Sequence, residues 1–202
     1  LRKLVPSEEK LTMRKMSTIM RRELGAYFNS PIAYVVISVF LVLSAFLFFN
    51  ALFLQQQAEL RELFVGFWTT LLVAILGPAI TMRLFAEERS NDTLELLLTM
   101  PVTDWDIVLG KYCAALVLFG YAMLAMGCFA VTVAFLGPLD KGAAFAGFVG
   151  LYLTTATYMA IGLMASAFTK NQIVAFLMAV TMCLPLWPVG KVAQVMPPSI
   201  QP

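Results

Sequence analysis

Histidine, the commonest general base and metal ligand at neutral pH, is absent from this chain. Cys113, Cys128 and Cys183 fall in apolar segments without C-x-x-C spacing and read as small buried side chains, not as a disulfide or a zinc site. The residues for intramembrane proteolysis are missing, and so is a G-x-x-x-x-G-K-[ST] phosphate loop, since Gly110-Lys111 stands without the upstream glycine. No residue is a candidate catalyst or metal ligand, so any energy used must come from another polypeptide. What chemistry remains belongs to charges, and they gather in Arg83 to Lys111, which holds six of the 12 acidic residues against three bases. Glu87, Glu88 and Arg89 can pair with Lys111 or with a partner protein; the plainer reading is a solvated helix end. Beyond them, Asp92 can cap a short helix while Glu95 reaches back to the cap amide. Thr93, Leu94, Leu96, Leu97, Leu98 and Met100 follow the cap, and Pro101 closes it. Such a helix is too short to span a bilayer and too apolar to stand in water. The stretch is acidic overall and would be repelled by an anionic leaflet, so a protein groove is the expected seat for its leucines.

The elements that hold this stretch are apolar. The chain has 202 residues, 60% hydrophobic and 13% charged, where a soluble domain carries roughly 25% charged residues. Five runs without a charged side chain, Pro31 to Leu54, Phe64 to Met82, Tyr112 to Leu136, Ala143 to Phe168 and Gln172 to Gly190, each match the ~20 residues needed to cross hydrocarbon. The fold class is therefore an all-α polytopic membrane protein, with five transmembrane helices after an N-terminal interfacial helix. In that first helix Met13, Met16, Met20, Leu24 and Tyr27 recur at steps of three or four, with Arg14, Arg21 and Arg22 on other faces. A basic tail that only obeys topology rules is the alternative. If the N-terminus is cytoplasmic, 11 of the 14 Lys and Arg lie on that side, which predicts this orientation and a cytosolic loop 83–111.

Residues 1–30 thus form a cytoplasmic tail and surface helix, 31–190 the transmembrane domain, and 191–202 an extracytoplasmic tail. The chain opens on Leu1 and closes on Pro202 without a polar tail, which reads as a fragment. No internal repeat is visible, and Gly77-Pro78 is the one candidate bend. Gly147, Gly150, Ala156, Ala160, Gly162 and Ser166 give the fourth span a small-residue pattern, for packing within the chain or for a dimer face. Asn50, Ser44, Thr69, Thr70, Thr154, Thr155 and Thr157 are among the neutral polar groups of the spans, read as packing or backbone-bonding residues before transport-path ligands. Without ionisable groups in the spans, an ion-driven carrier is disfavoured.

MRRELGAYFNSPIAYV, AEERSNDTLELLLTMPVTDWDIVLGKY and the order of spans together resemble the membrane subunits of type-2 ATP-binding-cassette (ABC) permeases. The branch that includes gliding-motility and nitrous-oxide-reductase-maturation permeases looks closest. Where that family tends to have Gly before the Thr, this chain has Asp92, expected to change the turn while supplying a cap. The resemblance implies that the first helix is the elbow helix and that Thr93 to Met100 is the coupling helix docking on an ABC ATPase subunit. It further implies a bacterial inner-membrane exporter, paired with a second permease subunit as homo- or heterodimer, with ATP and magnesium on the ATPase and no cofactor in this chain. A sixth span would follow Pro202. The partners are then that ATPase, the second permease and membrane lipids, with no nucleic acid. The rival reading is a membrane anchor or assembly factor that recruits a cytosolic protein through the same loop and transports nothing.

Overall fold

A computed structural model describes residues 8–54, 61–93, 103–136 and 140–186; Leu94 to Pro101, the expected docking helix, lie outside them. Every regular element among the described residues is a helix. Helix α1 (Glu8–Asn29) ends where Ser30 and Pro31 intervene. Pro31 gives no N–H and has its φ already fixed, which suits the first position of α2 (Pro31–Leu54), and the Ser30 hydroxyl accepts from Ile32 N at 3.4 Å. A short α3 (Arg61–Val65) leads through Gly66 into α4 (Phe67–Thr81), and α5 (Arg83–Ser90) continues it. Then come α6 (Asp104–Leu136), α7 (Lys141–Phe168) and α8 (Gln172–Cys183).

Four stretches are long and apolar enough to cross a membrane: Pro31–Phe53, Phe67–Ser90, Asp104–Phe135 and Lys141–Phe168. Of the fifth apolar run, Gln172 to Gly190, residues 172–186 are described. Its helix covers 12 residues, about 18 Å at 1.5 Å per residue, against a hydrocarbon core of ~30 Å. It stops at Leu184, next to Pro185. The stretch 83–111 is also not one long loop. Backbone hydrogen bonding is indifferent to side-chain polarity, so α5 runs past the apolar run through Ser90 and α6 starts at Asp104, ahead of the next apolar run; residues 91–103 connect the two.

Aromatic rings and close backbone approaches fill the centre. Phe40 on Phe119 and Phe48 on Phe129, each at 5.1 Å between centroids, join α2 to α6. Tyr112 donates to Ala156 O at 3.0 Å and Tyr152 to Leu116 O at 3.2 Å, tying α6 and α7 in both directions while satisfying two phenols. A Cβ on Gly162 would collide with Thr81 Oγ1, one on Gly147 with the Phe64 ring, and one on Gly77 would stand 3.3 Å from Tyr158 Cβ. The small residues at 147 and 162 therefore serve packing within the chain, while Gly150 faces open space. Thr70, Thr154, Thr155 and Thr157 each return their hydroxyl to the carbonyl four residues back.

Helix α1 forms over the expected residues, but its apolar face meets protein. It runs beside α6 in the same direction, with Ile19 against Gly110, Glu23 at Lys111 and Phe28 5.8 Å from Tyr121. Met16 and Met20 are half-buried; Arg21 and Arg22 are exposed. The side chains of Met13 and Arg14 lie outside the described residues.

Candidate functional site

The base of the third span is built around a buried cation. Gly110 lets α1 approach α6: a Cβ there would stand 2.9 Å from Ile19 Cγ2. The next residue, Lys111, is 1% exposed. Its Nζ donates to Glu88 Oε1 at 2.8 Å and to Glu23 Oε1 at 3.1 Å, and lies 5.4 Å from the centre of the Phe85 ring. Lysine offers three donors from a single point charge, and here one ammonium binds carboxylates from two other helices. The trio carries a formal charge of −1, and Glu88 Oε2 is buried without a hydrogen-bond partner. Burying an ammonium is tolerable only when it is paired and hydrogen-bonded in this way.

Beside the trio, Arg83 lies 5.0 Å over the Tyr27 ring, with its Nε 3.8 Å from Glu87 Oε2. Tyr27 donates to Ile80 O at 2.7 Å. Burial pushes the phenol well above its ordinary pKa, with the Arg83 guanidinium opposing, so it remains a donor. Helix α1 is thus fastened to α4, α5 and α6 at once.

The joint between α4 and α5 has its own device. Met82 keeps helical angles (φ −54°, ψ −31°), yet the hydrogen-bond ladder opens there. The Ser166 hydroxyl, from α7, accepts from Phe85 N and Ala86 N, both at 3.0 Å, and donates to Met82 O at 2.7 Å. Two lone pairs and one proton are all a hydroxyl has, and all three are used. A side chain inserted into the ladder is one recognised cause of a helix break. Close packing at Gly162, one turn earlier on α7, brings Ser166 within reach.

At its other end α5 closes by a bond from Thr93 N to Glu88 O at 3.0 Å, with Asp92 in the left-handed region at φ 53°. That six-residue bond is the signature of a Schellman ending. Asp92 accordingly belongs to the helix before it, and a left-handed backbone is not the extended one of an N-cap. Asp92 also adopts the conformation in which glycine is at ease, so the turn survives the replacement. Its carboxylate lies 3.6 Å from Lys170 in solvent. Across the connection, Thr103 and Asp106 form a reciprocal cap: Asp106 N donates to Thr103 Oγ1 at 3.3 Å and Thr103 N to Asp106 Oδ2 at 3.2 Å. Thr93 is exposed, and Leu94, Glu95, Leu96, Leu97, Leu98 and Pro101 lie outside the described residues.

A family model for ABC-2 family transporter proteins matches residues 17–198, nearly the whole chain. The chain belongs to that family. No curated protein matches it. Membership makes this ABC-2 protein a membrane permease subunit of an ABC transporter, with several membrane passes, and implies an ABC ATPase as its partner. Of the four coupling-loop charges singled out in its sequence, the fold brings Glu88 and Lys111 together, joins Glu87 to Arg83, and turns Arg89 toward a groove between α6 and α7. Sequence reasoning missed Glu23, Ser166 as a hydrogen-bonding residue, and the Thr103–Asp106 cap. Only the last had a local signal, its Thr-x-x-Asp spacing.

Proposed function

We propose that this ABC-2 permease is the membrane part of an exporter in a bacterial inner membrane, with α1 and the 91–103 connection on the cytoplasmic side. Residues Thr93 to Pro101 act as the coupling helix, seated in a groove of the ATPase, and Leu96 and Leu97 are its apolar anchors. A second permease subunit completes the transport path, and the chain resembles the branch that includes gliding-motility and nitrous-oxide-reductase-maturation permeases. The observation that carries this reading is the Lys111 trio. A segment that only recruited a protein would need no rigid root. Here the two helices that flank the connection are locked together at its base, by Glu88 from α5 and Lys111 from α6, with Glu23 of α1 as third member. A push delivered to the connection therefore moves α5, α6 and α1 as one body.

Replacing Leu97 with Asp places a charge at the proposed seat. Burying an unpaired carboxylate is costly, and each 1.4 kcal/mol is about tenfold in affinity. The expected result is at least a tenfold drop in ATPase activity recovered with the tagged permease from native membranes, with permease yield unchanged. Equal recovery would overturn the docking role.

A further inference from the structure

Arg89 does not join the charges around it. Among the described residues it has no ion-pair partner, although Glu87 and Glu88 precede it directly. It lines instead a groove of about 590 Å³ between α5, α6 and α7, walled by Ile107, Val108, Tyr112, Leu163 and Met164. Asp104 stands at the same mouth, not within ion-pair distance of Arg89. The deep end is apolar: the Tyr112 hydroxyl there is already committed to Ala156 O. From Asp104 to Tyr112 is eight residues of one helix, about 12 Å along its axis. Tyr112 begins an apolar run of spanning length, so the groove passes from hydrocarbon to the polar boundary, apolar inside and charged outside. Its polarity runs the same way as that of a lipid in the adjoining leaflet. The two signs of charge at the mouth match a headgroup that carries both.

We infer that this groove holds one glycerophospholipid with a primary-amine headgroup, of the phosphatidylethanolamine type. One acyl chain lies along Val108, Tyr112 and Leu163, the phosphate meets the Arg89 guanidinium, and the ammonium turns toward Asp104. Guanidinium binds phosphate through two parallel N–H bonds, and an ammonium has donors for a carboxylate that a quaternary amine lacks. Phe85 is shared between this groove and the Lys111 trio, so an occupied groove props the ring on which the buried ammonium rests.

The test is native mass spectrometry of the purified, delipidated full chain titrated with phosphatidylethanolamine, phosphatidylglycerol or phosphatidylcholine of identical acyl chains. One phosphatidylethanolamine should be retained about tenfold more tightly than either competitor. Arg89→Gln should abolish that retention, and Arg89→Lys, which keeps the charge but not the two parallel bonds, should keep only part of it. Asp104→Asn should erase the preference for the amine headgroup while leaving phosphate-dependent binding in place. Monodisperse elution of each variant shows that it is folded. Retention indifferent to Arg89→Gln, or a wild-type preference for phosphatidylglycerol, would overturn the assignment. So would a delipidated chain that takes up no lipid because a protein segment fills the groove.

Discussion

Lys111→Met should destabilise the purified permease by about 3–5 kcal/mol, the cost of breaking a buried ion pair from one side. Methionine fills much of the same volume, so the loss is electrostatic. Glu23 and Glu88 would be left largely buried beside each other with no cation between them. For a chain of this size each kcal/mol corresponds to roughly 2–4 °C in melting temperature, so a drop of about 10 °C is expected in detergent. The informative companion is the triple variant Glu23→Leu, Lys111→Met, Glu88→Leu. Replacing a whole buried ion cluster with apolar side chains is often neutral or stabilising, so the melting temperature should return. Coupling should not return, because a greasy contact slides where a charged one holds register. With the cognate ATPase bound, the triple variant should therefore keep its fold and lose most of the permease-dependent change in ATPase rate. A triple variant that melts normally and couples normally would remove the trio from the mechanism.

The parts of this fold that were legible in the sequence are those the bilayer dictates. A span needs a long uncharged run, and each of the first four runs coincides over most of its length with a helix or a helical pair that meets the length and composition of a span, the second run starting three residues early, in α3 and Gly66. Where a run stops, however, marks only where hydrocarbon stops. Arg83 and Asp106 ended or preceded apolar runs and still sit in helices α5 and α6. Asp92 shows the limit of local signals: its type and spacing suit the start of one helix equally with the end of another, and only its φ decides. Glu23 was illegible for another reason. A lone acid among basic neighbours looks like surface, and its partner stands 88 positions away. Ser166 was visible as a small residue, but nothing in the sequence says that a hydroxyl there would meet open backbone 80 positions earlier.

Ser166→Ala is the substitution that separates the fourth span from the force path. It removes one oxygen from a site with no solvent exposure. It leaves the amides of Phe85 and Ala86 and the carbonyl of Met82 without the partner they have now. A buried polar group left unpaired costs ~1–3 kcal/mol; three such groups, partly repaired by closure of the α4–α5 ladder, give an expected loss of about 3 kcal/mol. Hydrogen exchange reads this locally. The amides of Phe85 and Ala86 should exchange about 100-fold faster, since each 1.4 kcal/mol of local opening is about a factor of ten, while those of α2 are unchanged. If instead the ladder closes completely, those amides stay protected and α5 moves away from α7. A spin-label distance between α5 and α7 would then lengthen. The two results differ in stability but agree in mechanism, because either one frees α5 from the fourth span while the Lys111 trio still holds it to the third. Protected amides together with an unchanged α5–α7 distance would show that the serine carries no load. Where coupling is measured, Ser166→Ala should weaken the response of α7 to the ATPase and spare that of α6, a split that general loss of stability would not produce.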